Sequence, residues 1–104
     1  MPARHLLLVV HGTYELGPTL GLAVEPHLLV PAEGFETRSI EVEIESVDGI
    51  RTPAEAILRL VHFRLESGQS QTRVQLAFGS PVAVPAGSRI FSFADEGLQL
   101  ETAA

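Results

Sequence analysis

The chain has 104 residues, of which 45% are hydrophobic and 19% are charged, a balance that suits one globular domain, residues 1–104, with one core. It contains no cysteine, which excludes disulfides, thiolate metal sites and thiol catalysis. All seven basic residues are arginine and the net charge is −6. Lysine-dependent nucleotide loops and Schiff bases are therefore excluded, and nucleic acid is a disfavoured partner.

Glycine and proline turn signals divide the chain into pieces of about 5 to 12 residues, a spacing typical of all-β sandwiches and barrels. The strands predicted between these signals are, in chain order, residues 5–14, 20–25, 27–30, 37–47, 56–66, 71–78, 82–84, 89–94 and 98–101. No repeat or linker separates them. We therefore predict an all-β domain: a small closed or partly open barrel of six to eight mostly antiparallel strands.

The first predicted strand ends in a histidine-glycine pair. The apolar run at residues 6–10 leads into His11 and Gly12, which resembles the opening of small metal-inserting chelatases and the His-Gly pair of α/β-hydrolases. The resemblance implies a small metal-handling or hydrolytic enzyme centred on His11, with a βαβ layout. Gly17 and Pro18 interrupt the helix that both families need, and the four histidines share no metal-ligand spacing. A strand end with a turn glycine is the favoured interpretation.

A strict alternation marks residues 39–46. Isoleucine and valine alternate there with three glutamates, and this period of two predicts a half-buried strand with a solvated acidic face. The glutamates are Glu41, Glu43 and Glu45. They are the candidate binding residues, for a basic partner or a divalent ion, although a solvated strand face is the commoner meaning of such a stripe. Three equivalent carboxylates do not supply the separated pKa values that acid–base catalysis needs, so no catalytic residue is predicted among them.

Residues 52–67 carry signals for both helix and strand. Thr52, Pro53 and Glu55 form a helix-start signature, and Gly68 stands where a helix-capping glycine would. The same segment fits a strand whose hairpin tip lies at Ser67 and Gly68. Since β preference is set largely by context and the neighbouring segments are strands, we predict a strand from about Leu58 onward. One short helical turn near residues 53–58 is left open.

The segment at residues 73–93 is the part of the chain that resembles a known family. It holds an alternating apolar strand (Val-Gln-Leu-Ala-Phe, 74–78), a proline-valine pair at 81–82, and a Gly-Ser-Arg-Ile-Phe run at 87–91. These features resemble the last strands of the C-terminal β-barrel of translational GTPases, of the elongation factor Tu and selenocysteine-specific elongation factor type. The resemblance extends more loosely over residues 38–94. It implies a barrel of about six strands that serves as a binding module.

These observations favour a non-enzymatic interaction module over an enzyme. The resemblance implies contacts with a protein partner, and the sheet edges together with the apolar residues 6–10 favour self-association as a homodimer. A translation-associated RNA binder is a further alternative, opposed by the net charge of −6. No cofactor, metal or nucleotide is predicted. A small secreted domain would often need a disulfide, so the absence of cysteine favours a cytoplasmic location. The apolar run at 6–10 is too short for a membrane span or a signal core, so no membrane contact is expected.

Overall fold

The computed structural model describes residues 4–17, 21–31, 34–79, 82–93 and 100–102, whose strands form one antiparallel sheet. The strands are β1 (Arg4–Val9), β2 (Gly12–Glu15), β3 (Leu22–Glu25), β4 (Arg38–Glu45), β5 (Arg51–Arg64), β6 (Ser70–Phe78) and β7 (Arg89–Phe93). Their order across the sheet is β1-β7-β4-β5-β6-β3-β2. The predicted all-β class and strand number are confirmed. In these described ranges there is no helix, and hence none long and apolar enough to cross a membrane.

The two edge strands of the sheet, β1 and β2, are consecutive in the chain, and the sheet curls to bring these edges near one another. Only Val10 and His11 separate them. The amide of Val10 donates to the carbonyl of Ser88 at 2.8 Å and continues the β1–β7 pairing, whereas the amide of His11 donates to the carbonyl of Glu25 at 2.7 Å and continues the β2–β3 pairing. Among the described residues no strand pair joins the two edges, so the sheet they form is barrel-like but not closed.

The strand β5 changes partner along its length. Its residues 51–58 pair with β4 and its residues 57–64 pair with β6, so only Ile57 and Leu58 have neighbours on both sides. A long strand that passes from one neighbour to the next in this way turns a corner of the sheet. The far half of β5 and the first half of β6 therefore extend beyond β4 as a two-stranded hairpin.

The helical turn considered near residues 53–58 is wrong, because these residues belong to β5. Pro53 pairs with Glu43, and Ala56 pairs with Ile40. Proline is tolerated here because β6 reaches only as far as Ile57, so the missing amide of Pro53 leaves no ladder bond unmade on that side. The predicted start of the strand near Leu58 is likewise too late, since β5 begins at Arg51.

Other boundaries differ modestly from the predicted strands. Residues 5–14 form two strands rather than one, and residues 27–30 contribute only a bridge at Leu28, which pairs with Val74 and with Thr102. Residues 82–84 are not a strand, although Val84 is buried. Residues 20, 94 and 98–99, which complete three predicted strands, lie outside the described residues.

The core lies on the concave face of the sheet and is built from alternate residues of the strands. In β4 the inward side chains are Ile40, Val42 and Ile44, as the alternation predicts. The other members of the core cluster are Leu7, Leu8, Val10, Val24, Leu28, Ala56, Leu58, Val74, Leu76, Phe78, Val84 and Ile90. Burial of this apolar set is the main source of stability for a chain without disulfides or helices in its described part.

Candidate functional site

His11, on which the enzyme alternative rests, is exposed at the crossing between β1 and β2. The strands around it are antiparallel, so the βαβ layout that this alternative requires is not the one observed. No group of three or more His, Cys, Asp or Glu side chains within the described ranges is arranged to hold a metal ion. Within these ranges, His11 therefore belongs to no group of metal-ligating side chains.

Two of the three candidate glutamates are ion-paired within the chain. Glu43 contacts Arg4, and Glu45 accepts a hydrogen bond from Arg51 Nε at 3.1 Å. Glu45 also lies 3.6 Å from Arg4 Nη1 and 3.9 Å from Arg89 Nε. Three arginines thus surround two carboxylates, so this end of the stripe is neutralised and offers no free acidic surface to a cation. We call these five residues the arginine–glutamate cluster.

The charges of this cluster change the pKa of Glu45. Desolvation alone would raise the pKa of Glu45, but the hydrogen bond from Arg51 and the positive charges of Arg51, Arg4 and Arg89 outweigh it and lower the pKa. Arg4 also lies over the ring of Phe91, 4.2 Å from its centroid. The cluster therefore fastens β1 to β4, β5 and β7 on the outer face of the sheet.

Glu41, the third glutamate of the stripe, has a different environment. It is exposed and pairs across the strands with Glu55, which is also exposed. Neither carboxylate forms an ion pair with a described residue. Glu55 also borders a cavity of about 590 Å³ that lies between the start of β5 and the residues Gly79, Val82 and Ala83, and its described lining is otherwise mostly apolar. Like charges in this position repel one another, so the pair is a destabilising feature of an otherwise regular sheet.

The edge strand β1 presents apolar side chains to solvent. Leu6 is 50% exposed and Val9 is 41% exposed. Within the described ranges β1 pairs with β7 alone, so its other edge carries unpaired backbone groups. The opposite edge strand, β2, contains no exposed large apolar residue. Leucine and valine beside a free strand edge are the features that favour addition of another strand.

A polar network on the outer face of β5 and β6 was not predicted from the sequence. Gln75 is only 3% exposed and donates from Nε2 to the hydroxyl of Tyr14, while its Oε1 accepts from Arg59 Nε at 2.8 Å. The hydroxyl of Tyr14 lies 3.3 Å from His27 Nε2. The alternation in β6 placed Gln75 on the outer face. The contacts with Tyr14 and His27 depend on strands that are distant in sequence, and no local signal shows them.

The surroundings of His27 favour its neutral form by lowering its pKa. Burial lowers the pKa of its imidazole, the charge of Glu25 raises it, and the charge of Arg73 lowers it, with a net downward shift. The ring also packs at a tilt against Phe63, with 5.8 Å between the centroids. A neutral imidazole at this position can accept a hydrogen bond from the hydroxyl of Tyr14.

Comparison of the chain with models of protein families, with curated proteins and with solved structures found no match. The functional argument therefore depends on the geometry of the molecule itself.

Proposed function

We propose that this protein is a non-enzymatic interaction module that associates with a second copy of itself through the free edge of β1. The observation that carries the proposal is the combination of an unpaired strand edge with the exposed side chains of Leu6 and Val9. An added strand satisfies the free backbone groups, and it removes the two apolar side chains from water.

The charges near β1 are compatible with a symmetric pair. In an antiparallel pair of β1 strands, a two-fold axis places Arg4 of one copy near Val9 of the other, and the two Arg4 side chains lie at opposite ends. Arg4 is already neutralised by Glu43 within its own chain. Pairing therefore brings no two uncompensated charges together, whereas Glu15 and the polar residues of β2 give that edge no comparable apolar contact.

The test is the molar mass in solution, measured by light scattering on a size-exclusion column over a range of protein concentrations. We expect the mass of two 11.2 kDa chains at high concentration. Leu6→Lys and Val9→Lys should each shift the protein to one chain, because a charge would be placed beside the strand edge. Leu29→Lys is the matched control, since Leu29 is 40% exposed but lies away from β1, and it should remain dimeric.

Two results would overturn the proposal. One is a wild-type protein that stays monomeric at every concentration tested. The other is a dimer that survives both substitutions on β1 but is lost in Leu29→Lys, since this would place the interface elsewhere. Circular dichroism of each variant shows whether the strand content is kept.

As part of this proposal, the protein resembles the barrels of translational GTPases in architecture. What supports it is an antiparallel sheet of seven strands that curls toward a barrel. A protein partner in place of the second copy and a cytoplasmic location follow from the same resemblance and composition. RNA binding is disfavoured by the net charge of −6, and no described contact favours the enzyme alternative centred on His11.

A further inference from the structure

Two arginines on the outer face of the β5–β6 hairpin, Arg59 and Arg73, have no carboxylate partner among the described residues. Arg59 donates from Nε to Gln75 Oε1, and Arg73 donates from Nη2 to Gln71 Oε1, both at 2.8 Å. A guanidinium carries five N–H donors, so each side chain uses one donor in these bonds and keeps the others available. Neither forms an ion pair with any described residue.

This arrangement contrasts with the arginine–glutamate cluster. The side chains of Arg51 and Arg89 are 57% exposed and yet lie beside carboxylates, whereas Arg59 and Arg73 belong to half-buried residues and contact neutral amides instead. A partly desolvated cation without a counterion is costly, and a bound anion would remove much of that cost. In a chain of net charge −6, these two arginines form a local positive site.

The register places Arg59 and Arg73 close to one another on the outer face of the hairpin. Arg59 pairs with Gln75, and Arg73 is two residues before Gln75 on the same strand, so the two arginines are diagonal neighbours on one face. Diagonal neighbours in an antiparallel sheet are about 7–8 Å apart, a distance that long side chains can bridge. His27 belongs to the same group through Tyr14, whose hydroxyl accepts from Gln75 and lies 3.3 Å from His27 Nε2.

We propose that Arg59 and Arg73, with Tyr14 and His27 at their side, form a binding site for a small oxyanion attached to an apolar body. The two guanidinium groups bind the carboxylate or phosphate oxygens. Gln75 is buried and fixes the orientation of Arg59, because it is held in turn by the hydroxyl of Tyr14.

The side chains that would contact the apolar part of the ligand occupy the next positions along the hairpin. Phe63 pairs with Gln71, and Val61 pairs with Arg73, so both side chains lie on the same face as the arginines. Phe63 also packs against the ring of His27. Glu25 is the carboxylate whose charge reaches His27; it is exposed and leaves both arginines unpaired. An anion with an aromatic or aliphatic portion should therefore bind more tightly than the bare anion.

The experiment is a titration of the ¹⁵N-labelled full chain at constant ionic strength, read from the Nε–Hε signals of Arg59 and Arg73. The probes are sodium benzoate, sodium acetate and inorganic phosphate, with neutral benzamide as the uncharged analogue of benzoate. We expect saturable shifts with benzoate and weaker binding of acetate. Phosphate shows whether the site also takes a tetrahedral oxyanion. Arg59→Gln and Arg73→Gln should each weaken benzoate binding about tenfold or more, since hydrogen bonds to charged groups contribute about 1.5–3 kcal/mol.

Arg64→Gln is the matched control, because Arg64 is an exposed arginine on the opposite face of the same hairpin. It removes the same charge and should leave binding unchanged. Three results would each overturn the proposal: no saturable shift with any of the anions, equal affinity for benzamide and benzoate, or an equal loss of affinity in Arg64→Gln. If one arginine variant does not fold, the other variant and the wild-type titration still decide the question.

Discussion

Glu45 links the ionisation of a single carboxylate to the stability of the fold. Its pKa is lower in the folded protein than in the unfolded chain, because Arg51, Arg4 and Arg89 lie around it. In the pH range between the two pKa values the unfolded state binds more protons. The stabilisation is therefore present above the usual glutamate pKa of about 4.3, and it is lost as the pH falls through the lower, folded-state value.

We expect the free energy of unfolding of the wild-type protein to fall on acidification through this window, and Glu45→Gln to show a smaller fall. The measurement is urea unfolding at a series of pH values between about 3 and 7. Glu41→Gln is the control: Glu41 has the same strand and face but no arginine partner within the described ranges, so the acid-dependent fall should remain. Parallel pH profiles for the wild type and Glu45→Gln would contradict this assignment.

Gly21 is a second residue at which a small change, the addition of a Cβ atom, should affect stability. Its φ is +85°, and a Cβ built on it would overlap the carbonyl oxygen of Phe78. Gly68 has nearly the same φ, +88°, but open space around it. Gly68→Ala should therefore lower the free energy of unfolding by about 1–2 kcal/mol, which is the strain of the left-handed backbone alone.

Gly21→Ala should lower the free energy of unfolding several times more than Gly68→Ala does, because backbone atoms of Phe78 cannot move aside as a flexible side chain would. Thermal and urea unfolding of the two variants measure the difference. Equal losses would mean that the close approach between Gly21 and β6 contributes nothing to stability.

Among the strands, β5 is the central one, because it pairs with β4 on one side and with β6 on the other. Leu58 is fully buried at the point where the two pairings overlap, whereas Leu60 is only half-buried. Leu58→Ala should lower the free energy of unfolding by about 2–5 kcal/mol, the range for a cavity left in a packed core. Leu60→Ala, the same change one step along the same face, should cost clearly less. The midpoints of urea unfolding provide the comparison, and equal losses would contradict the central place given to Leu58.

The strands could be predicted where the period of two is strong, and not where two local signals compete. In β4 the alternation of Ile40 and Ile44 with glutamates defined both the strand and its buried face, and this prediction is confirmed. In β5 the helix-start signature at Thr52 and Pro53 was overruled by pairing with β4, a contact that the local sequence does not contain. Tertiary pairing outweighs a capping signature because it buries apolar surface along the whole strand.

At the scale of the whole molecule, the sequence predicted a barrel-like all-β class but not the order of its strands. That order depends on contacts such as Arg4 with Glu43, and Tyr14 with Gln75, which join distant parts of the chain. For the same reason the glutamate stripe was expected to be a solvated face, and the arginines that cover part of it could not be assigned. Arg59 and Arg73, which have no ion pair with a described residue, were visible in the sequence only as outward positions of two strands.

The pairing of β1 with β7 also affects how the protein is made. β1 is synthesised before its partner at Arg89–Phe93, because the other five strands lie between these two in the chain. Until β7 is available, the leucine-rich strand β1 lacks its native neighbour in the sheet, and contacts between distant segments form slowly. Correct pairing of β1 therefore waits until β7 has been synthesised, a period in which chaperone protection of β1 is most valuable.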